Sequence, residues 1–128
     1  MPEGKSKSYL DDFAALPDKS DAEYKAFSFG RVGARSQAML TFVKSDDYVE
    51  AISYANLNRI WSSDVSTQIQ LDFGERTVLI EGTTLNDLFN YIRLNRCSEV
   101  IEQPKRSAME TKEGEPIVTN ISIRKVGS

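Results

Sequence analysis

From Ala38 onward, the chain is dominated by short segments in which apolar and polar residues alternate with a period of two. The clearest pair is residues 69–73 and 78–80, separated by a turn at Gly74 and Glu75. Because successive side chains of a β-strand point to opposite faces, the alternation predicts strands with one buried and one exposed face. The short glycine-containing turn predicts that these two segments form a hairpin.

Further strand patterns precede and follow this hairpin. Residues 40–42 and 48–54 flank the polar turn at residues 45–47 and predict a second hairpin. Residues 117–124 alternate again and predict a last strand that rejoins the sheet. Two weaker patterns are a turn or third strand over residues 56–62 and a short edge strand at Val100 and Ile101.

One amphipathic helix is predicted between the second hairpin strand and the end of the chain. Thr84 is placed as an N-cap and Asp87 as an acidic residue of the first turn, so the helix should start at Leu85. Arg93 and Arg96 fall on the side opposite to an apolar stripe, close to the C-terminal end. The stripe consists of Leu85, Leu88, Phe89 and Ile92. The helix is therefore expected to pack one face on the sheet.

This order of elements has no repeating βαβ rhythm, which counts against a parallel nucleotide-binding sheet. The predicted fold class is α+β: a curved, mainly antiparallel sheet of about five to six strands with one C-terminal-half helix packed on it. Residues 37–128 are predicted to form this single domain. Residues 1–36, rich in charges and glycines, are predicted to be a partly disordered N-terminal tail.

A short helix is predicted inside that tail at residues 9–16. Ser8 and Asp11 are placed as a capping pair, and Pro17 would end the helix. Its apolar face consists of Tyr9, Leu10, Phe13 and Leu16. An isolated helix of this length is marginal in water, so it needs a surface to lie on. That surface is either the open face of its own sheet or a protein partner, and the sequence leaves both alternatives open.

The residue inventory restricts the chemistry of the chain. It has no histidine, and Cys97 is its only cysteine, so histidine-based catalysis and metal sites built from imidazole or several thiolates are excluded within one chain. Cys97 is predicted to be a buried or half-buried packing residue. Adjacent acids in turns, such as Asp46 and Asp47, are expected to be solvated. No catalytic residue, metal site or cofactor is predicted.

Charge argues against nucleic acid as the principal partner. The chain has 16 Lys and Arg against 19 Asp and Glu, which give a net charge of −3 rather than a basic excess. A weaker anion or nucleic-acid alternative rests on Arg31, Arg35, Arg93 and Arg96. No membrane span and no secretion signal are expected from the sequence, so the predicted location is cytoplasmic.

The predicted function is a non-enzymatic protein-interaction or assembly module. Its contact with a protein partner, or with a second copy, would use the residues 9–16 segment or an exposed sheet edge. The alternative is a small-ligand-binding protein or enzyme with a pocket between sheet and helix, using Tyr54, Arg59 and Glu81. A further alternative is a weak nucleic-acid binder acting through Arg93 and Arg96.

Overall fold

Eight strands and one α-helix form the domain in the computed structural model, which describes residues 24–30, 36–104 and 114–126. In chain order the elements are β1 (Phe27–Phe29), β2 (Met39–Val43), β3 (Val49–Ser53), a 3-10 helix (Tyr54–Asn56), β4 (Arg59–Trp61), β5 (Gln68–Asp72), β6 (Arg76–Thr83), α1 (Asn86–Arg93), β7 (Cys97–Ile101) and β8 (Ile117–Lys125).

The strands are divided between two four-stranded sheets. Sheet A has the order β1-β7-β2-β3, and sheet B has the order β4-β5-β6-β8. All described strand pairs are antiparallel except β2 with β7. The predicted α+β class, with mainly antiparallel strands and a single helix, is confirmed. The strands form two sheets rather than one because a helix of eight residues cannot cover eight strands, whereas two apolar sheet faces bury each other.

The core lies between the two sheets. Leu40 and Phe42 of sheet A and Leu71 and Ile80 of sheet B are fully buried. Phe42 meets Phe73 edge to face, with 6.2 Å between the ring centroids. The predicted hairpin of β5 and β6 is confirmed, and its alternating apolar residues are those that face the core.

Helix α1 begins one residue later than predicted. Leu85 is the N-cap residue and makes no side-chain capping bond, while Thr84 adopts a left-handed backbone with φ of 57°. The prediction of Thr84 as N-cap is therefore wrong. Leu85 is fully buried and its N–H donates to Ser66 O over 3.1 Å, so burial rather than capping sets the start of the helix. The predicted stripe is confirmed, since Leu88 and Ile92 are also fully buried.

The sheet includes residues from the segment predicted as a tail. Tyr24 and Ala26 are buried, and β1 pairs with β7. Strand β7, predicted as a short edge strand, is instead central in sheet A, between β1 and β2. Its partners come from distant parts of the chain, and a local pattern carries no information about them. The predicted helix at residues 9–16 lies outside the described residues.

A close approach between β6 and β8 sets the position of β8. The register shifts between Glu81 and Gly82, which marks an irregularity in the ladder. A Cβ atom on Gly82 would lie 1.9 Å from Ile117 O, so only glycine fits there.

Candidate functional site: a groove along strand β8

Strand β8 is an edge strand of sheet B, and protein groups outside the sheet cover its first half. The Val118 N–H donates to Tyr24 Oη over 2.9 Å, and the Val118 carbonyl accepts the Gln103 N–H over 2.8 Å. The Tyr24 hydroxyl in turn donates to the Ile101 carbonyl. Burial raises the pKa of Tyr24, so this hydroxyl keeps its proton. The edge is thereby closed around Val118.

Glu102 satisfies the outward N–H group of β8 at Ile121. Its side chain is buried; Oε1 accepts the Ser45 N–H and Oε2 the Ile121 N–H, each over 2.7 Å. The Lys44 ammonium lies 3.7 Å from Glu102 Oε2 and also donates to the Ile121 carbonyl. Burial acts to raise the pKa of Glu102, but the two backbone N–H donors and Lys44 hold that pKa below its ordinary value. The carboxylate therefore stays charged and joins β8 to the β2–β3 turn.

The second half of β8 is open. Because Ile121 bonds to groups outside the sheet, the ladder alternation also directs the Ile123 N–H and C=O away from β6. Neither group has a hydrogen-bond partner among the described residues. The strand thus offers one unpaired donor and one unpaired acceptor at its free edge.

A groove of about 480 Å³ runs along this open half. We call it the β8 groove; it lies between residues 120–125 and the side chains of Lys44, Tyr48, Glu50 and Arg76. Arg76 Nε is 3.1 Å from Glu50 Oε2, and the Tyr48 hydroxyl donates to Glu50 Oε1 over 2.7 Å. That bond to a carboxylate raises the pKa of Tyr48. The Glu50 charge is therefore compensated within the groove.

The β8 groove is cationic on both faces of the strand. Arg124 and Lys125 are exposed, and neither side chain makes a hydrogen bond or ion pair with any described residue. Lys125 pairs in register with Arg76, so these two side chains share one face, while Arg124 pairs with Thr77 on the other. Positively charged side chains are thus concentrated at one sheet edge, although the net charge of the chain is −3.

A second cavity, of about 330 Å³, lies on the outer face of sheet B. Trp61, Gln70 and Leu79 line it, and Arg124 borders both this cavity and the β8 groove. The Arg59 guanidinium lies over the Trp61 ring, 4.4 Å from its centroid. The outer face of sheet B and the β8 groove are therefore neighbouring surfaces.

An aromatic cluster lies at the C-terminal end of α1. Phe29 is 48% exposed and stacks on Tyr91 with ring centroids 4.2 Å apart. The Arg96 guanidinium lies 5.8 Å from the Tyr91 centroid and donates to the Gly30 carbonyl over 3.1 Å. Arg96, predicted as an anion-binding residue, is thus engaged in contacts within its own domain.

The other predicted site residues are dispersed or lie outside the described residues. Arg93 is exposed and its guanidinium donates to Asn90 Oδ1 over 3.4 Å. Two predicted groups fall on residues that the structure does not describe. One is the pair Arg31 and Arg35, and the other is the apolar set Tyr9, Leu10, Phe13 and Leu16.

Tyr54, Arg59 and Glu81, predicted as a pocket set, occupy different places. Tyr54 is buried and its hydroxyl donates to the Cys97 carbonyl over 2.7 Å. Arg59 is paired with Asp72 at one end of β5, whereas Glu81 is on β6 beside Gln68 at the other end. These three side chains do not converge on one cavity.

Cys97 is fully buried, and burial raises the pKa of its thiol, as expected for a packing residue. Asp46 and Asp47 are exposed in the β2–β3 turn. Within the described ranges, no group of three or more candidate ligands could hold a metal ion, and no helix is long and apolar enough to cross a membrane.

No known family, curated protein or solved structure matches this chain. The β8 groove therefore has to be interpreted from its own geometry. Sequence reasoning missed it because its cations lie far apart in the chain, at Lys44, Arg76 and the end of β8. The one local signal was the adjacent pair Arg124 and Lys125 at the end of the last predicted strand.

Proposed function

We propose that the protein is a binding module that recognises an extended acidic peptide by adding it as a strand to the open half of β8. The observation that carries the proposal is the coincidence of an unpaired strand edge at Ile123 with the cations of the β8 groove. A peptide that adds to a sheet edge gains affinity from main-chain hydrogen bonds and specificity from its alternating side chains.

The two faces of the edge define the preferred peptide. Successive side chains of an added strand point to opposite faces of the sheet. One set would meet Lys125, beside the Arg76–Glu50 pair, and the other set would meet Arg124. Consecutive acidic residues satisfy both faces, whereas acids at every second position satisfy only one.

The same cations also disfavour pairing between the β8 edges of two copies of the protein. Two copies of β8 that paired edge to edge would bring like charges together, and positive side chains at a free edge discourage such pairing. An acidic partner meets no such repulsion. The charge of the groove therefore favours a foreign or tethered acidic strand over self-association through β8.

The test is the binding of fluorescein-labelled, capped hexaglutamate, followed by fluorescence anisotropy at low ionic strength, with hexaglutamine as the uncharged control peptide. The Arg124→Gln/Lys125→Gln variant is expected to bind about ten-fold more weakly, since two exposed charge contacts are lost. The matched control is Lys25→Gln/Arg93→Gln, which changes the net charge equally at two exposed residues that line neither the groove nor the neighbouring cavity, and it should alter the affinity less than about two-fold.

Backbone methylation of the peptide tests strand addition separately. Only alternate peptide N–H groups face the neighbouring strand. Because hexaglutamate can shift its register by one residue, a peptide methylated at alternate N–H groups keeps one free edge and should still bind, whereas a peptide methylated at every N–H group should not bind. The proposal fails if the fully methylated peptide binds as tightly as the alternately methylated one, if the control variant loses as much affinity as the groove variant, or if inorganic polyphosphate of equal charge binds as tightly as the peptide.

A further inference from the structure

Acidic residues are concentrated in the segment that leads into the domain. Residues 11–23, the acidic segment, precede the first described residue, Tyr24. The charged residues of the segment are Asp11, Asp12, Asp18, Lys19, Asp21 and Glu23. Five acids against one lysine give the segment a charge of −4, so the rest of the chain carries +1 out of a total of −3.

The attachment point of this segment lies beside β8. Tyr24 is fixed to Val118 by the 2.9 Å hydrogen bond that closes the first half of the edge. The open half, from Ser122 to Lys125, lies about 13 to 24 Å further along the strand. Asp12 precedes Tyr24 by twelve residues, and a chain of that length can span up to about 40 Å. The acidic segment can therefore reach every position of the β8 groove.

We infer that the acidic segment of the same chain occupies the β8 groove and competes with external acidic peptides. The inference rests on the proposed function, because it assigns that site an internal ligand. Asp11 and Asp12 are consecutive acids, the pattern that serves both faces of an added strand, with one facing Lys125 and the other Arg124. This inference requires an extended chain at residues 11 and 12 in place of the helix predicted at residues 9–16. The segment is then an autoinhibitory strand that a better-matched partner displaces.

The covalent attachment of the acidic segment determines how strongly it competes with an external peptide. A short flexible connection gives an effective concentration in the millimolar range. If the segment binds with a dissociation constant of about 0.1 mM, it would fill the groove about nine times in ten. An external peptide would then bind about ten-fold more weakly than it binds a vacant groove.

The experiment compares hexaglutamate affinity for the full chain and for its Asp11→Asn/Asp12→Asn variant at low ionic strength. A ten-fold weaker internal contact would raise the affinity for the peptide about five-fold. The matched control, Asp87→Asn/Glu115→Gln, changes two exposed acids away from the groove and alters net charge by the same amount. It should change the affinity less than about two-fold. Combining Asp11→Asn/Asp12→Asn with Arg124→Gln/Lys125→Gln should abolish the gain, since the two sets act through one contact.

The outcomes separate this inference from the proposed function. If the full chain and the Asp11→Asn/Asp12→Asn variant bind the peptide equally well, the β8 groove is a peptide site and the inference is wrong. If neither binds at any salt concentration, the proposed function itself fails. If the gain shrinks when the protein is diluted, the segment fills the groove of a second copy, which overturns the intramolecular contact. A five-fold gain that is independent of protein concentration supports it.

Discussion

The two halves of β8 belong to the same strand edge, but they differ in whether their outward backbone groups have hydrogen-bond partners. Around Val118 and Ile121, every outward N–H and C=O has a partner: a tyrosine hydroxyl, a carboxylate, a lysine or a neighbouring N–H. Around Ile123, the corresponding groups have no partner among the described residues, and cations flank them instead.

This difference separates a strand edge that is closed for stability from one that remains open for binding. A buried strand edge must have its polar groups satisfied, because an unsatisfied buried N–H or C=O costs about 1–3 kcal/mol. An exposed edge can leave them to water or to a binding partner. The first half of β8 is therefore expected to control stability, and the second half to control binding with little effect on stability.

The largest expected loss of stability comes from Glu102→Gln, which cannot accept from both the Ser45 and Ile121 N–H groups and leaves one buried donor unpaired. We expect a loss of about 2–4 kcal/mol at neutral pH, measured by urea unfolding. Glu81→Gln, at an exposed carboxyl, is the control and should leave the urea midpoint unchanged.

The pH dependence of unfolding tests the same carboxyl. Because the folded-state pKa of Glu102 is below its unfolded value, its contribution is complete above the ordinary glutamate range and disappears as the pH falls through the lowered pKa. Stability of the parent chain should therefore decrease below about pH 4, and this dependence should be weaker in Glu102→Gln. Equal acid sensitivity in both proteins would contradict the assignment.

A smaller effect is expected from Tyr24→Phe, which removes the hydroxyl but keeps the ring. The Val118 N–H and the Ile101 carbonyl would each lose a buried partner, at a cost of about 1–2 kcal/mol. Hydrogen exchange of the Val118 amide should become faster in this variant. Tyr48→Phe is the control because its hydroxyl is exposed, and it should leave both the urea midpoint and the Val118 exchange rate unchanged.

The smallest effect on stability is expected in the open half. Arg124→Gln/Lys125→Gln removes exposed charges that no described residue pairs with, so the urea midpoint should not move. A midpoint shift as large as that of Tyr24→Phe would show that the open half is also structural and would remove the distinction between the two halves.

Much of the fold could be predicted from local patterns. The β5–β6 hairpin and the apolar stripe of α1 follow from periodicity, which is set by side-chain direction within each element. The missed features depend on distant partners. A three-residue strand such as β1 has too few residues for a pattern, and the central place of β7 depends on contacts with β1 and β2.

The candidate site is the part least accessible to sequence reasoning. Arg124 and Lys125 are visible in the sequence as adjacent cations, but their meaning depends on which edge of the sheet stays free. Neither the burial of Glu102 nor its bond to Ile121 can be inferred from its place directly after the short apolar pair Val100 and Ile101.

The α+β class, the main hairpin and the helix face follow from local sequence patterns, because they depend on the alternation of apolar and polar residues along a few consecutive positions. The division of the strands into two sheets, the burial of Tyr24 in the core and the meeting of cations from three parts of the chain at one open edge could be seen only in the folded domain. These features arise from long-range pairing and burial, which are set by how elements pack together rather than by the residues adjacent in the chain.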